Sequence, residues 1–493
     1  MSKQGVVHHP GVEAVDEIDE ELRSTPPFER GRLGISSSSA NLHLTTVRPR
    51  RLALDRPGGD IALTKQSGRS FVFEWSEEQL AIRDAVRRFV ESEVVPNIDA
   101  LEYGDLPPYD VMRKLYATFG MDQMARDRFK KQLERKSGGT ASGGGSAAST
   151  GDSTSTGDST STGDGGAAAM TLIPIIELCH YCPGIVTAMG VSVGLAAGTV
   201  MKRGTPSQME RWGLDLLTLD KIGAWAITEP DSGSDALGGM KSSARRDGDE
   251  YILNGNKTFI TNGPFADTIV FYAKLDDGSD TPIRDRQVLT FVLDKGLPGL
   301  EQSKPFRKMG LHSSPTGEVF LSDVRVNKDR LLGETEDEGD GGGRESAKDN
   351  FVQERAGLAA MSLGLIEECL KVSVEYAKDR KLWGTRIGDR QLIQLKLAKM
   401  EVARLNVQNL VFRHIEMSAA GKSLSLAEAS AMKLYAAQSA SEVAMEAVQL
   451  FGGNGYMSEF RVEQLARDAK VFQIYAGTDE IQVTHIARDL LNH

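Results

Sequence analysis

The sequence predicts an α+β protein, mainly helical, in which one β domain sits between two helical parts. Three observations carry that reading. Short apolar runs of strand length occupy Tyr251 to Thr261 and Val288 to Leu293. Further on, Leu358, Met361, Leu365, Cys369, Val372 and Tyr376 recur at steps of three and four, the buried stripe of a long helix. Ahead of the β region, residues 170–201 are rich in Ala, Gly, Val, Leu and Ile, as a buried helical pair would be.

Taken in order, residues 1–70 read as a tail, because acidic residues, prolines and a serine run show no sustained period. Such a segment buries too little apolar surface to offset its ordering entropy. Order is expected from Phe71. Ser76, followed by Glu78 and Gln79, predicts a capped helix start with Leu80, Ile82, Val86, Phe89 and Val90 on its apolar face. Between 137 and 169 the composition falls to Gly, Ser, Thr, Asp and Ala, which predicts a flexible insertion between helices. The N-terminal helical domain thus runs over 71–224. The β domain and its linker take 225–343, with Asn254-Gly255 predicting a hairpin turn. The helical remainder, 344–493, shows further runs at about 391–420 and 425–450.

Composition narrows the function. A formal net charge of −11 argues against a nucleic-acid partner. Three cysteines in 493 residues suit a reducing compartment rather than a disulfide framework. Cys179 and Cys182 have CxxC spacing but no second pair to complete a zinc site, so they read as core. No run of roughly 20 apolar residues stands out, and the acidic N-terminus lacks a signal-peptide core. The expectation is a cytoplasmic protein that does not span a membrane.

The chemistry lies in four motifs. Trp225-Ala-Ile227-Thr228-Glu229-Pro230 leads to Ser234-Asp235, and Lys257-Thr-Phe259-Ile260-Thr261-Asn262-Gly263 follows. Gln449-Leu-Phe-Gly452-Gly453-Asn454-Gly455-Tyr456 comes next, then Arg467-Asp468-Ala469-Lys470 with Tyr475-Ala476-Gly477-Thr478. In this order and spacing the chain resembles the acyl-CoA dehydrogenase family over 71–493. The resemblance implies a middle β-barrel-like domain, a C-terminal four-helix bundle, FAD as cofactor, an acyl-CoA substrate and an electron-transfer flavoprotein as acceptor. It also implies a homotetramer, a dimer of dimers in which a neighbouring subunit completes each flavin site.

Residue by residue, the resemblance places Trp225, Ile227, Thr228, Phe259, Ile260 and Thr261 around the flavin. Ser234 would meet the FAD pyrophosphate or the acyl-CoA. Arg380 and Trp383 match residues that reach the partner's FAD, and Gln391, Gln449 and Gly453 its ADP side. Thr478 and Glu480 match flavin contacts beside the substrate. The plainer alternative for any single threonine or glycine among these is a strand or turn former. His312 and Ser313, after Lys308-Met309-Gly310-Leu311, are expected near the ligands.

The family's commonest base is a glutamate at the position held here by Ala476. A subset that includes isovaleryl-CoA and long-chain enzymes carries the base before an arginine on an earlier helix. Here Glu354-Arg355 shows that arrangement. The resemblance therefore implies α,β-dehydrogenation to a trans-2-enoyl-CoA, with Glu354 as α-proton base and hydride passing to flavin N5. The thioester oxygen would be held by the Ala476 N–H, with Arg355 and Gly477 close to the substrate. The plainer reading of Glu354 is a solvated helix residue in an ion pair, and of Arg355 a structural one. An oxygen-using flavin oxidase or monooxygenase of the same fold, or a non-catalytic acyl-CoA- or flavin-binding subunit, are the rival functions.

Overall fold

The computed structural model describes residues 74–104, 106–138, 166–336 and 342–492. The tail expected at 1–70 and most of the 137–169 insertion lie outside them.

Helix α1 (Glu77–Phe89) starts where the sequence places it. The Ser76 hydroxyl accepts from the Gln79 N–H at 3.2 Å, and the Gln79 side chain accepts from the Ser76 N–H at 3.0 Å. Two donors that a helix start leaves orphaned are thereby satisfied. Helices α2 (Tyr109–Thr118) and α3 (Met121–Gly138) follow, and α4 (Gly166–Cys179) opens beyond the insertion. Cys179 and Cys182 are both fully buried in the helical core. Next comes α5 (Pro183–Arg203), which corrects one expectation: by length and apolarity this helix is long enough to cross a membrane. Its glycines and its Ser and Thr residues dilute the apolar signal in the sequence. In the fold, 72 % of its most apolar window is buried, as a core helix would be.

Seven strands then form one sheet: β1 (Gly223–Ala226), β2 (Ser243–Asp247), β3 (Glu250–Thr261), β4 (Thr268–Asp276), β5 (Val288–Asp294), β6 (Leu300–Gln302) and β7 (Thr316–Asn327). The order is β1-β4-β2-β3-β7-β6, with β5 paired to β4. Strands β1 and β2 run parallel to β4, and the other pairs are antiparallel.

The hairpin predicted at Asn254-Gly255 does not form there. Strand β3 runs straight through it, and the turn lies earlier, at Gly248-Asp249, where Gly248 takes φ +65°. The Asn-Gly pair instead marks an irregularity in the β3–β7 register. A Cβ at 255 would come within 2.1 Å of the Ser242 hydroxyl, so the glycine serves a close approach. Asn254 meanwhile exchanges two 2.9 Å hydrogen bonds with Asp323, using its side chain rather than a turn.

The C-terminal helices are α6 (Gly342–Asp379), α7 (Gln391–Ala419), α8 (Leu426–Phe451), α9 (Val462–Val471) and α10 (Asp479–Asn492). The predicted stripe of α6 is buried at Leu358, Met361, Leu365 and Cys369. On α8, Ala429, Ala436, Ala440, Ala444 and Ala447 are buried, which lets neighbouring helices approach closely. One apolar cluster joins α1, α2 and α4 to these C-terminal helices, and a second fills the interior of the sheet.

Candidate active site

Helix α6 carries Phe351, Glu354 and Arg355 within little more than one turn. Phe351 packs edge-on to Trp225 at 6.3 Å between centroids, and the Arg355 guanidinium lies 5.7 Å over the Phe351 ring. Arg355, almost wholly buried, donates from Nε to the Ala476 carbonyl at 3.4 Å and from Nη1 to Ser430 Oγ at 3.0 Å. It also meets His485 Nδ1 at 3.3 Å. A chain of contacts thus runs from the Trp225 loop through α6 to the Tyr475-Ala476-Gly477-Thr478 turn, although these segments lie far apart in sequence.

Glu354 is half-buried beside Arg355 and forms no hydrogen bond or ion pair with the described residues. Burial pushes its carboxyl up to about 7, against the opposing pull of Arg355 and Lys433. Lys433, with a fully buried side chain on α8, is held at 3.1 Å by Asp479, which also accepts from Gln438 and Gln473. Its charge is therefore largely committed to Asp479 and only partly felt by Glu354.

A second carboxyl, Asp468, also rises to about 7 through burial and the nearby Glu102. Its setting differs. It accepts from the Leu311 N–H at 2.6 Å and from Gln464 at 3.2 Å, while Ser313 donates to Glu102 at 2.8 Å. The segment that carries His312 and Ser313 is thus taken up in an interior network. Lys308 belongs to the same network, donating to the Leu311 carbonyl, and burial lowers it to about 8. A hollow of about 540 Å³ lined by Tyr103, His312, Tyr456, Glu459, Glu463 and Arg467 shares no residue with the Glu354 cluster. There Arg467 is already paired with Glu463 at 2.7 Å.

The turn after α9 is conformationally unusual. Ala476 and Gly477 both take left-handed backbone, with φ +56° and +85°. Among the described residues the Ala476 N–H has no acceptor. Thr478 Oγ1 accepts from the Ile481 N–H at 3.4 Å at the start of α10. Glu480 is exposed in the first turn of α10; its own N–H and the Thr478 hydroxyl hold its carboxyl below the usual range.

Around β1 and β3 the residues fall into two groups. Glu229 and Lys257 form a buried ion pair at 2.8 Å, and Glu229 also accepts from the Lys241 and Ser242 N–H groups at 2.6 and 2.9 Å. Burial opposes ionisation of Glu229, but Lys257 and these donors hold its carboxyl below the usual range; complete burial lowers Lys257 to about 8. This pair fixes the loop after Thr228. Ile227 and Ile260 are buried, and Trp225 turns its Nε1 to Tyr272 at 3.1 Å.

The other group faces outward. Thr228 and Thr261 are half-buried, Ser234 is exposed, and none of their hydroxyls is hydrogen-bonded within the described residues. Phe259 is 68 % exposed and held at φ +57°, next to Asn262 at φ +63°. Asn262 is locked by bonds to the Ala188 and Gly223 carbonyls. A bulky residue kept in left-handed backbone and turned outward is strained in a way that accompanies ligand contact.

Arg380, Trp383, Gln391, Gln449 and Gly453 are all exposed, Trp383 to 87 %. No hydrogen bond, ion pair or ring contact among the described residues joins them to Glu354 or to the Trp225 loop. Sequence reasoning missed Lys433 and Gln482. A lone lysine within the Ala429–Ala437 apolar face of α8 was a usable signal; Gln482 offered none.

Residues 224–324 match the family model for the acyl-CoA dehydrogenase middle domain, and 341–491 that for the acyl-CoA dehydrogenase C-terminal domain. The chain belongs to the acyl-CoA dehydrogenase family. It is an enzyme of the flavin-dependent oxidoreductase class, and members of the family are FAD-dependent flavoproteins. Among its relatives is the short-chain specific acyl-CoA dehydrogenase of Megasphaera elsdenii, 36 % identical over 319 residues, which cover 65 % of this chain and 81 % of that one. The caffeyl-CoA reductase-Etf complex subunit CarC of Acetobacterium woodii is 33 % identical over 85 % of this chain and 99 % of its own. The solved butyryl-CoA dehydrogenase of Megasphaera elsdenii superposes with a TM-score of 0.70 at 30 % identity, covering 85 % of this chain and all of that one.

Proposed function

We propose that this protein dehydrogenates an acyl-CoA thioester at its α,β-bond to the trans-2-enoyl-CoA, with Glu354 as the α-proton base. One observation supports this above all: Glu354 is an unpaired carboxyl raised to about 7, beside a turn whose Ala476 has no acid. A base must be able both to hold and to release its proton near the working pH. Asp468 has a similar acidity but is tied up by hydrogen bonds, which disqualifies it.

The outward group fits a flavin: three free hydroxyls on Thr228, Thr261 and Ser234 beside an exposed Phe259 suit a planar ring system with hydrogen-bonding edges. On this reading Trp225, Ile227, Ile260, Thr478 and Glu480 complete its surround. Arg380, Trp383, Gln391, Gln449 and Gly453 reach the FAD of a neighbouring subunit in a homotetramer, which their exposure permits. An apolar stripe on α7 (Leu392, Leu395, Val402 and Leu405, all exposed) suits such an assembly. FAD, when bound, supplies the hydride acceptor. Glu354 takes the α-proton, the free Ala476 N–H holds the thioester oxygen, and the buried apolar surround keeps water from the α-carbon. The pairing of Glu354 with Ala476 supports a kinship with the isovaleryl-CoA and long-chain members. An electron-transfer flavoprotein is the acceptor, in keeping with the name of the Acetobacterium relative, and three free buried cysteines suit the cytoplasm.

The test is anaerobic flavin bleaching over a panel of acyl-CoAs, followed by its pH dependence. A protonated Glu354 cannot accept the α-proton, so kcat/KM should fall about tenfold per pH unit below about 7 and level off above it. A limb near 4.5, the ordinary glutamate range, would remove Glu354 from the role. Reduced flavin that reoxidises rapidly in oxygen with peroxide release would instead favour an oxidase.

A further inference from the structure

We propose that Gln482 is a positioning residue for this reaction: its side-chain amide clamps the Ala476-Gly477 turn so that the Ala476 N–H stays free for the thioester oxygen. The inference rests on the dehydrogenase reading above.

Gln482, on α10, is completely buried. Its Nε2 donates to two successive carbonyls, Ala476 at 3.1 Å and Gly477 at 2.7 Å, which uses both hydrogens of one NH2 group. Its Oε1 is buried with no partner. An unpaired buried acceptor is costly, and an apolar side chain of the same length would avoid it. Only the paired donors justify an amide here.

Those donors act on the backbone. Upstream, the Tyr475 N–H is bonded to the Val471 carbonyl at 3.0 Å, so the helix end is fixed. Downstream, Gln482 and Arg355 both hold the Ala476 carbonyl. Between these anchors φ of Ala476 stands at +56°, a region that alanine seldom enters unforced. Gly477 is under the same constraint: at φ +85°, a Cβ there would lie 2.8 Å from Gln482 Nε2 and 3.4 Å from Arg355 Nη2. The amide therefore occupies the space that a side chain at 477 would need. Held this way, the Ala476 N–H lies outside the helix ladder, on the turn that Arg355 fastens to the Glu354 helix. Donors fixed in advance stabilise a developing enolate without reorganising.

The test is Gln482→Met in the FAD-loaded protein. The rate of anaerobic bleaching should fall by about 10- to 100-fold, less than the 10²–10³-fold typical for outright loss of an oxyanion donor. KM should move by less than about threefold, and the pH limb should stay at about 7, because Glu354 is untouched. A second readout is 3-thiaoctanoyl-CoA, whose α-anion gives a long-wavelength band against oxidised flavin. Its apparent deprotonation should shift to higher pH by about one unit, the equivalent of a tenfold loss of anion stabilisation. A merely structural Gln482 would lower the unfolding midpoint and leave band and bleaching rate unchanged, and that result would overturn the proposal. Should Gln482→Met fail to fold, Gln482→Leu, which likewise removes both donors and adds no charge near Glu354, carries the same expectation and the same refutation. If the unmodified protein itself gave neither bleaching nor band, the dehydrogenase reading would fall and this role with it; a normal unmodified protein with an unaffected variant defeats this role alone.

Discussion

Glu354→Gln should slow flavin bleaching by acyl-CoA by about 10²- to 10⁴-fold, the usual contribution of a positioned general base. Glutamine keeps the shape and the half-buried fit of the side chain but cannot accept a proton. Since Glu354 has no hydrogen-bond or ion-pair partner among the described residues, the substitution strands no neighbour. Stability should therefore change by less than about 1 kcal/mol, in the range of substitutions without a structural partner. Charge makes the same point. Lys433 keeps its counter-charge Asp479 at 3.1 Å, and Arg355 keeps its hydrogen bonds to Ser430 and the Ala476 carbonyl. Acyl-CoA binding, followed by the perturbation of the flavin spectrum, should persist. An effect on turnover without one on folding is the mark of chemistry rather than packing.

Glu229→Ala should have the largest effect on stability, about 3–5 kcal/mol by urea unfolding at pH 7, as expected when one partner of a buried ion pair is removed. The Lys257 side chain is fully buried, and Glu229 is its ion partner at 2.8 Å. Alanine would also orphan the Lys241 and Ser242 N–H groups, which now donate to the carboxylate. Lys257→Met should cost less, because Glu229 would keep those two backbone donors and the methionine would fill the space with apolar volume. Loss of the loop after Thr228 should weaken FAD retention in the first variant more than in the second. Equal costs for the two substitutions would show that the pair, rather than the carboxylate's backbone bonds, governs this loop.

Much of the fold could be read from local signals. The Ser76–Gln79 cap, the stripe from Leu358 and the strand at Val288 each depend on residues a few positions apart, and each lies where the pattern predicts. Reading failed where a residue type has two physical uses. Asn-Gly favours a tight turn, yet at 254–255 the glycine admits Ser242 and the asparagine bonds Asp323, contacts set by strands remote in sequence. The apolar length of α5 was hidden by its small residues, which the tertiary core nonetheless buries. In the site, the exchange of acid proposed between 476 and 354 was read through family resemblance. What joins the two positions was not: Arg355 spans 121 residues to reach the Ala476 carbonyl, and Gln482 acts through two backbone carbonyls that no motif encodes.

The central claim is that the base has moved from position 476 to position 354. The anaerobic bleaching rates of Glu354→Gln and of Glu354→Gln combined with Ala476→Glu measure it most directly. Ala476→Glu alone should bring little gain or a loss, because two carboxylates near one α-carbon resist joint ionisation. In the Glu354→Gln background that repulsion is gone, and the account predicts that the double variant recovers part of the lost rate. A double variant no faster than Glu354→Gln alone would contradict it.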